Sequence, residues 1–469
     1  MDARISENTV AEIDGLPSER RRWAALTIFT ALAMSSLDTA IANVALPAIA
    51  SDLHVSPAEV VWVVNIYQIA MVTTLLPLAA LGDIVGLKRL YLAGLVLFTA
   101  GSLACAFAPS LPALLVARAA QGLGASSLMS INTALVRFIY PRRLLGQGYV
   151  WNALVVAVAF SAGPTVAAGV LSVAHWPWLF GINVPFGIAA VFIAMKTLPE
   201  TPKGAHAFDV IGAVMASACL GLFIYGLGSV GHGANAFVVI AVLIGALLIG
   251  AALVRRQADH PAPMLPVDLF RRPMFALSAL TAFFSFATQQ FGLVSLPFLF
   301  EHKLGLSAVA TGLLITPWSV VVGIMAPIAG RLSNRFPVGI LGGIGLAILA
   351  VGMTLLATLP ANPSVADIVW RMMVYGCGFG FYQTPNMRAL MSSAPPERSG
   401  GASGIVATAR LTGQTSGATL TALCFAWAGT SGPTYALALG AVFSAVGAAV
   451  SFTRLAAERL QPMRLPCLH

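Results

Sequence analysis

The chain is 469 residues long, with 58% apolar and 9% charged residues and a mean hydropathy of +0.86. A soluble domain carries roughly 25% charged side chains, so this composition calls for lipid as the solvent and excludes a water-solvated enzyme, a secreted disulfide scaffold and a nucleic-acid binder. The formal charge of +9 needs no nucleic acid to explain it, because the basic residues follow a membrane-topology pattern.

Apolar runs of about 18 or more residues, nearly free of charge, predict membrane-crossing helices, and fourteen such runs follow one another. After a polar segment at 1–22, span 1 covers 23–47, span 2 58–81, span 3 89–108, span 4 111–136, span 5 146–171 and span 6 178–198. Spans 7 and 8 cover 208–230 and 235–254. Spans 9 to 14 cover 273–300, 307–330, 336–358, 365–390, 401–428 and 432–454, before a tail at 455–469. The first run is too long for a signal peptide and contains Asp38, so it is expected to be retained. With residues 1–22 in the cytoplasm, 22 of the 26 basic residues fall on that side, Arg454 among them. Of the rest, Lys303 falls on the other side, and Arg118, Arg371 and Arg410 fall inside spans. The positive-inside rule then predicts that both termini are cytoplasmic. The five cysteines include no CxxC pair, so neither a disulfide nor a metal site is indicated.

Asp38 is the one acidic residue placed deep inside a span. A carboxylate there costs roughly 2.5–3.5 kcal/mol on the lenient insertion scale and usually marks a cavity or a proton path. At 1.5 Å per residue it lies roughly 22 Å from the inner face, and Arg118 of span 4 lies roughly 10 Å from the outer one. In helices of this length those depths nearly coincide, and Asn65 of span 2 reaches the same layer. A neighbouring cation favours the ionised carboxylate and desolvation favours the neutral one. The expectation is that Asp38 carries protons and Arg118 modulates it; the alternative is a structural anchor between helices.

The chain also repeats itself. Ala79-Ala80-Leu81-Gly82-Asp83 after span 2 is echoed by Gly330-Arg331-Leu332-Ser333-Asn334 after span 10. Pro141-Arg142-Arg143 after span 4 is echoed by Pro396-Glu397-Arg398 after span 12, and Arg118 by Arg371. The register pairs spans 1–6 with spans 9–14 and leaves spans 7 and 8 as an insertion, an arrangement typical of transporters. The expected domains are a segment 1–22, a six-helix bundle 23–198, an insertion 199–272, a second bundle 273–454 and a tail 455–469.

Five motifs carry a family resemblance: Leu37-Asp38-Thr39-Ala40-Ile41-Ala42-Asn43 in span 1, Gly82-Asp83-Ile84-Val85-Gly86-Leu87-Lys88-Arg89 after span 2, Arg118-Ala119-Ala120-Gln121-Gly122 in span 4, Gly163-Pro164-Thr165-Val166-Ala167-Ala168-Gly169 in span 5 and Asn183-Val184-Pro185-Phe186-Gly187 at the start of span 6. Together they resemble the fourteen-helix drug:proton antiporter branch of the major facilitator superfamily. Ala79 replaces the usual leading glycine of the second motif, and Ala167 and Ala168 stand where a glycine pair is common. The resemblance implies an all-α major facilitator fold of two six-helix bundles with two extra central helices. It also implies a monomer in the cytoplasmic (inner) membrane that exchanges protons for hydrophobic drugs or toxic small molecules.

The resemblance further implies that Asp83, Gly86, Lys88, Arg89 and Arg143 form a gate, with Asp83 pairing Arg143 or capping a helix. Gly163 and Pro164 would form a hinge and seal, since proline interrupts the helix ladder and small residues admit close neighbours. Candidate substrate-binding residues are Asn43, Trp62, Asn65, Gln68, Phe284, Gln289, Gln290, Tyr382, Gln383, Asn386 and Arg410, which suit a broad cavity for varied hydrophobic compounds. No cofactor is expected: a Walker-type phosphate loop is missing, and the histidines fall at loops, helix ends or tails without a nucleophile–base pair. An exporter of one endogenous compound and a transport-dead sensor are the alternatives.

Overall fold

The computed structural model of the chain describes residues 15–201, 208–230, 235–258, 267–393 and 399–460. Arg4, Lys203, the echo at Pro396-Glu397-Arg398, Arg464 and Cys467 lie outside the described residues, as do most of segment 1–22 and of the tail. Among the described residues the structure is helical, with no strand. The helices are α1 Ser18–Asp52, α2 Pro57–Val85, α3 Leu87–Ala106, α4 Leu111–Ile139, α5 Leu145–Val173, α6 Pro177–Thr197, α7 Val210–Val230 and α8 Ala236–Ala258. They continue as α9 Pro273–Phe298, α10 Ala308–Leu332, α11 Val338–Ala357, α12 Val365–Ser393, α13 Ser399–Ala428 and α14 Gly432–Leu460. In lipid each backbone amide must find its partner within the segment, which leaves helices as the form an apolar run of this kind takes.

Among the described residues, eleven helical segments are long and apolar enough to cross a membrane, twelve when the two parts of α5, bent by 42°, count as one. The sequence pattern predicts fourteen, and the difference has two further physical sources. α12 carries Asp367, Arg371 and Arg388, which dilute its hydropathy. α13 and α14 form one apolar stretch, Gly404–Leu455, of 52 residues. At 1.5 Å per residue that is roughly 78 Å, over twice a bilayer core of about 30 Å. The stretch turns at Gly429–Ser431, where Gly429 adopts φ +52°, and α13 packs back on α14.

Helix ends differ from the sequence pattern where polar residues continue a helix. α1 begins at Ser18 after Pro17, so residues 18–22 belong to the first helix and not to a separate polar segment. Arg20 explains why: its side chain donates to the carbonyls of Thr197 (2.9 Å) and Leu198 (3.3 Å), which are among the carbonyls left free at the end of α6. At the other end of the molecule Ser56-Pro57-Ala58-Glu59 starts α2 with a capping box, the Glu59 amide donating to Ser56 Oγ at 3.2 Å and the Ser56 amide to Glu59 Oε2 at 2.9 Å.

The same pairings occur twice. α1 packs on α5 and α6, α2 on α4, and α3 on α4 and α6; α9 packs on α13 and α14, α10 on α12, and α11 on α12 and α14. Shifting every label in the first set by eight gives the second. The two sets meet along α1–α9, α2–α13 and α5–α10, and the same shift relates the last two seams. α7 lies over the α2–α13 seam and α8 packs on α7. Burial grades accordingly: 89% of the apolar window of α9 is buried inside the protein, but 17% of that of α8, whose outer face is left to lipid.

Candidate functional site

Asp38 sits near the middle of α1 and is 1% exposed. Arg118 of α4, fully buried, donates from Nη1 to Asp38 Oδ2 at 2.5 Å. Oδ1 accepts from Gln121 Nε2 at 2.8 Å and from Asn183 Nδ2 at 3.1 Å. One carboxylate thus takes three donors from two helices, the arrangement that makes a buried charge tolerable. Arg118 is held from the other side as well: Nε donates to the Val63 carbonyl of α2 at 3.0 Å and Nη1 to Gln121 Oε1 at 2.6 Å. Its guanidinium lies 4.1 Å from the Tyr67 ring centroid and 5.2 Å from that of Phe180. Gln121 Nε2 also reaches Ser102 of α3 at 2.8 Å. Five of the first six helices are therefore joined at one charge pair. Nη2 of Arg118 is buried and has no protein partner, so the network is not saturated.

Depth along the helices already puts Asp38 and Arg118 in one layer, whereas the pair's neutral partners depend on how α4 and α6 pack around α1. Gln121 lies three residues after Arg118, on the same helical face, and Asn183 begins the motif at the start of α6. Both were visible as polar residues in apolar runs.

Next to the pair the two sets of helices meet. Asn43, five residues beyond Asp38, accepts at Oδ1 from Gln290 Nε2 of α9 at 2.9 Å and donates to the Thr39 carbonyl at 2.7 Å. Gln289 accepts from Gln414 of α13 at 3.4 Å, and its carbonyl accepts from Tyr375 at 3.0 Å. On the α5–α10 seam, a Cβ added to Gly312 would stand 2.6 Å from the Pro164 carbonyl, and one added to Gly163 would stand 2.3 Å from Ala40 Cβ. Glycine and proline thus place α5 tightly between α1 and α10, where Thr165 and Thr316 hydroxyls meet at 2.8 Å.

Several candidates fall elsewhere. Asn386 is not at the meeting face: its Oδ1 accepts from Arg454 at 2.7 Å and from Thr281 at 3.1 Å, and its Nδ2 donates to the Ser278 carbonyl at 3.2 Å. Arg454 is correspondingly fully buried inside the second set of helices and is not a loop cation, because α14 runs on to Leu460. Phe284 packs edge-on against Phe283 and against Phe443 of α14. Trp62 and Gln383 are half-buried, while Tyr382 is buried against α11 at Gly345. Asn65 and Gln68 are fully buried with both ends of each amide unpartnered. Arg371 is held locally by Asp367 at 3.1 Å and by the Leu355 carbonyl, so the echo of Arg118 does not reproduce its site.

The expected gate pair does not form. Asp83, Arg89 and Arg143 are exposed, and Asp83 hydrogen-bonds neither Arg143 nor the start of α3, whose N-cap Gly86, at φ +103°, has no side-chain cap. Instead this turn is tied to the chain after α6, through Lys88 to Glu200 at 3.1 Å and the Leu87 amide to Thr201 at 2.9 Å. In the second set, by contrast, Arg388 of α12 donates to Ser333 at 3.0 Å and to Asn334 in the echo of that motif. Among the described residues, no group of three His, Cys, Asp or Glu side chains is placed to hold a metal ion.

The sequence profile of the Major Facilitator Superfamily matches residues 28–418. An uncharacterized transporter of Escherichia coli K12, YebQ, is 48% identical over 96% of this chain and 98% of its own length. The multidrug efflux pump LfrA of Mycolicibacterium smegmatis is 30% identical over 85% of this chain and 80% of its own length, and the riboflavin transporter RibZ of Clostridioides difficile 28% identical over 83% and 85%. A bacterial homologue of the human lysosomal transporter Spinster, in an inward-facing and occupied conformation, superposes with a TM-score of 0.69 at 15% identity, covering 95% of this chain and 98% of the other.

Proposed function

The chain belongs to the major facilitator superfamily, and on that premise we propose that it is a proton-coupled antiporter exporting hydrophobic small molecules across the inner membrane. The observation that carries this reading is the buried Asp38 carboxylate, ion-paired to Arg118 and set five residues from Asn43, where the two sets of helices touch. Rocking of one set against the other changes the α1–α9 and α5–α10 contacts, and with them the solvation of the carboxylate. Hydrated and separated from Arg118, Asp38 takes a proton; closed against Arg118, Gln121 and Asn183, it gives the proton up. Gly163, Pro164 and Gly312 let α5 slide on α10 while the seam stays sealed. The proposed topology is fourteen crossings with both termini cytoplasmic, two six-helix domains at 23–198 and 273–454, and a monomeric chain. Similarity to a multidrug efflux pump supports the export direction.

The test follows an imposed pH gradient in proteoliposomes as cationic, neutral and anionic compounds are added. Wild type should dissipate the gradient only with transported compounds, and Asp38→Asn should not do so with any. Dissipation that survives the substitution removes Asp38 from the coupling step. Transport of one endogenous compound is a second reading, favoured by the similarity to a riboflavin transporter; it predicts a response to one compound of the panel.

A further inference from the structure

Arg410 of α13 faces α4 across the meeting of the two sets: its Nη2 approaches Met129 Sδ at 3.8 Å, its Nε is buried without a partner, and the side chain as a whole is half-buried. It lies 11 residues into α13, roughly 16 Å along the helix and near the middle of a bilayer core of about 30 Å. Asp38 is engaged by Arg118, and no carboxylate among the described residues pairs with Arg410. The seam thus carries one positive charge that the protein does not offset, a costly placement within a membrane unless something of opposite charge visits.

The α2–α13 register brings a second feature to the same layer. A Cβ at Gly404 would touch Leu76 at 3.4 Å, and Leu411 belongs to the same buried cluster as Tyr67, Met71 and Leu75 of α2. The helices run antiparallel, so eight residues back along α2 to Gln68 matches eight residues forward along α13 to position 412, each roughly 12 Å from the contact. Gln68 therefore stands level with the segment between Arg410 and Gln414. Asn65 is one turn further on the same face as Gln68 and Leu76. Each of these amides is fully buried and lacks a partner at both its nitrogen and its oxygen. Buried amides are normally hydrogen-bonded; two unbonded ones on α2, at the level of a guanidinium on α13 that has no carboxylate partner, describe a site that is complete only when a charged, hydrogen-bonding group enters.

We propose that the α2–α13 seam is an anion subsite, in which Arg410 pairs with a carboxylate, sulfonate or phosphate of the exported molecule while Gln68 and Asn65 hydrogen-bond its neighbouring polar atoms. The proposal rests on the export reading and sharpens it to anionic amphiphiles. One charge on the substrate then balances Arg410, and the proton on Asp38 is exchanged separately.

Fluorescein and rhodamine 123 share a xanthene core and differ in charge, which isolates the relevant term. Binding of each to the full chain in detergent is measured by fluorescence anisotropy, for wild type, Arg410→Lys, Arg410→Gln and Gln68→Leu, with thermal unfolding as a check on folding. Wild type should bind fluorescein about tenfold or more tightly than rhodamine 123, and Arg410→Gln should lose that preference, since one desolvated charge pair is worth at least a factor of ten. Arg410→Lys should keep the preference, and Gln68→Leu should weaken fluorescein alone. The subsite is overturned if wild type binds neither dye, shows no preference or favours the cation, or if Arg410→Gln shifts both dyes equally. Failure of the export reading shows differently: the anion preference persists while no compound drives proton movement in liposomes.

Discussion

Of the arginines inside the bundle, Arg118 and Arg410 lie in contrasting surroundings. Arg118 is enclosed by Asp38, Gln121, the Val63 carbonyl and two aromatic rings, all within the first set of helices. Arg410 lies across the seam between the sets and meets a methionine sulfur. The first is a charge balanced by the buried Asp38 carboxylate. The second is a charge without a carboxylate partner on the face where the two sets meet. A charge this deep in a membrane protein is costly and usually functional, and the contrast separates the two proposed purposes, proton exchange within one domain and ligand recognition between domains.

Stability should register the difference most strongly. Arg118→Leu leaves Asp38 buried and unpaired and should cost about 3–5 kcal/mol, seen as a large drop in the thermal midpoint of the purified protein. The double variant with Asp38→Asn should recover most of that loss, because the residual charge is gone. Arg410→Met removes a charge with no carboxylate partner, so the midpoint should stay level or rise; a fall matching that of Arg118→Leu would mean that Arg410 is a structural hub.

The seam itself comes next in size. Gly163→Val forces α5 away from Ala40 and should cost about 1–3 kcal/mol through overpacking, with a fall in transport rate; Gly312→Ala, facing the Pro164 carbonyl, should do the same more mildly. If transport rates are unchanged by both, the α5–α10 seam plays no part in the cycle.

The α2–α3 turn should matter least. Glu200 is 76% exposed, and an exposed pair of this kind contributes about 0–1 kcal/mol. Lys88→Ala should therefore barely move the midpoint, while high salt reproduces whatever effect it has.

What the sequence revealed and what it hid follow one physical line. Periodicity and the cost of charge in lipid exposed the helices and the Asp38–Arg118 pair, each a property of one helix or of depth along it, and motif echoes exposed the repeat. Partner choice is a property of packing. Gln121 and Asn183 were indistinguishable from other polar residues until α4 and α6 were placed around α1, and Asp83 looked like a partner for Arg143 although its turn is tied to Glu200 and Thr201. Arg454 lay at the boundary of an apolar run, where a count of loop charges and a buried side chain cannot be told apart without the end of α14. α12 shows the converse: the charges that lower its hydropathy are spent on contacts to α11 and to the turn after α10.

The central claim is that the proton exchanged for substrate resides on Asp38. Its most direct test is proton release from the detergent-solubilised protein in weakly buffered solution as a transported compound is added. Wild type should release protons on binding and Asp38→Asn should bind the compound without release. Equal release from both proteins would place the proton elsewhere and contradict the account.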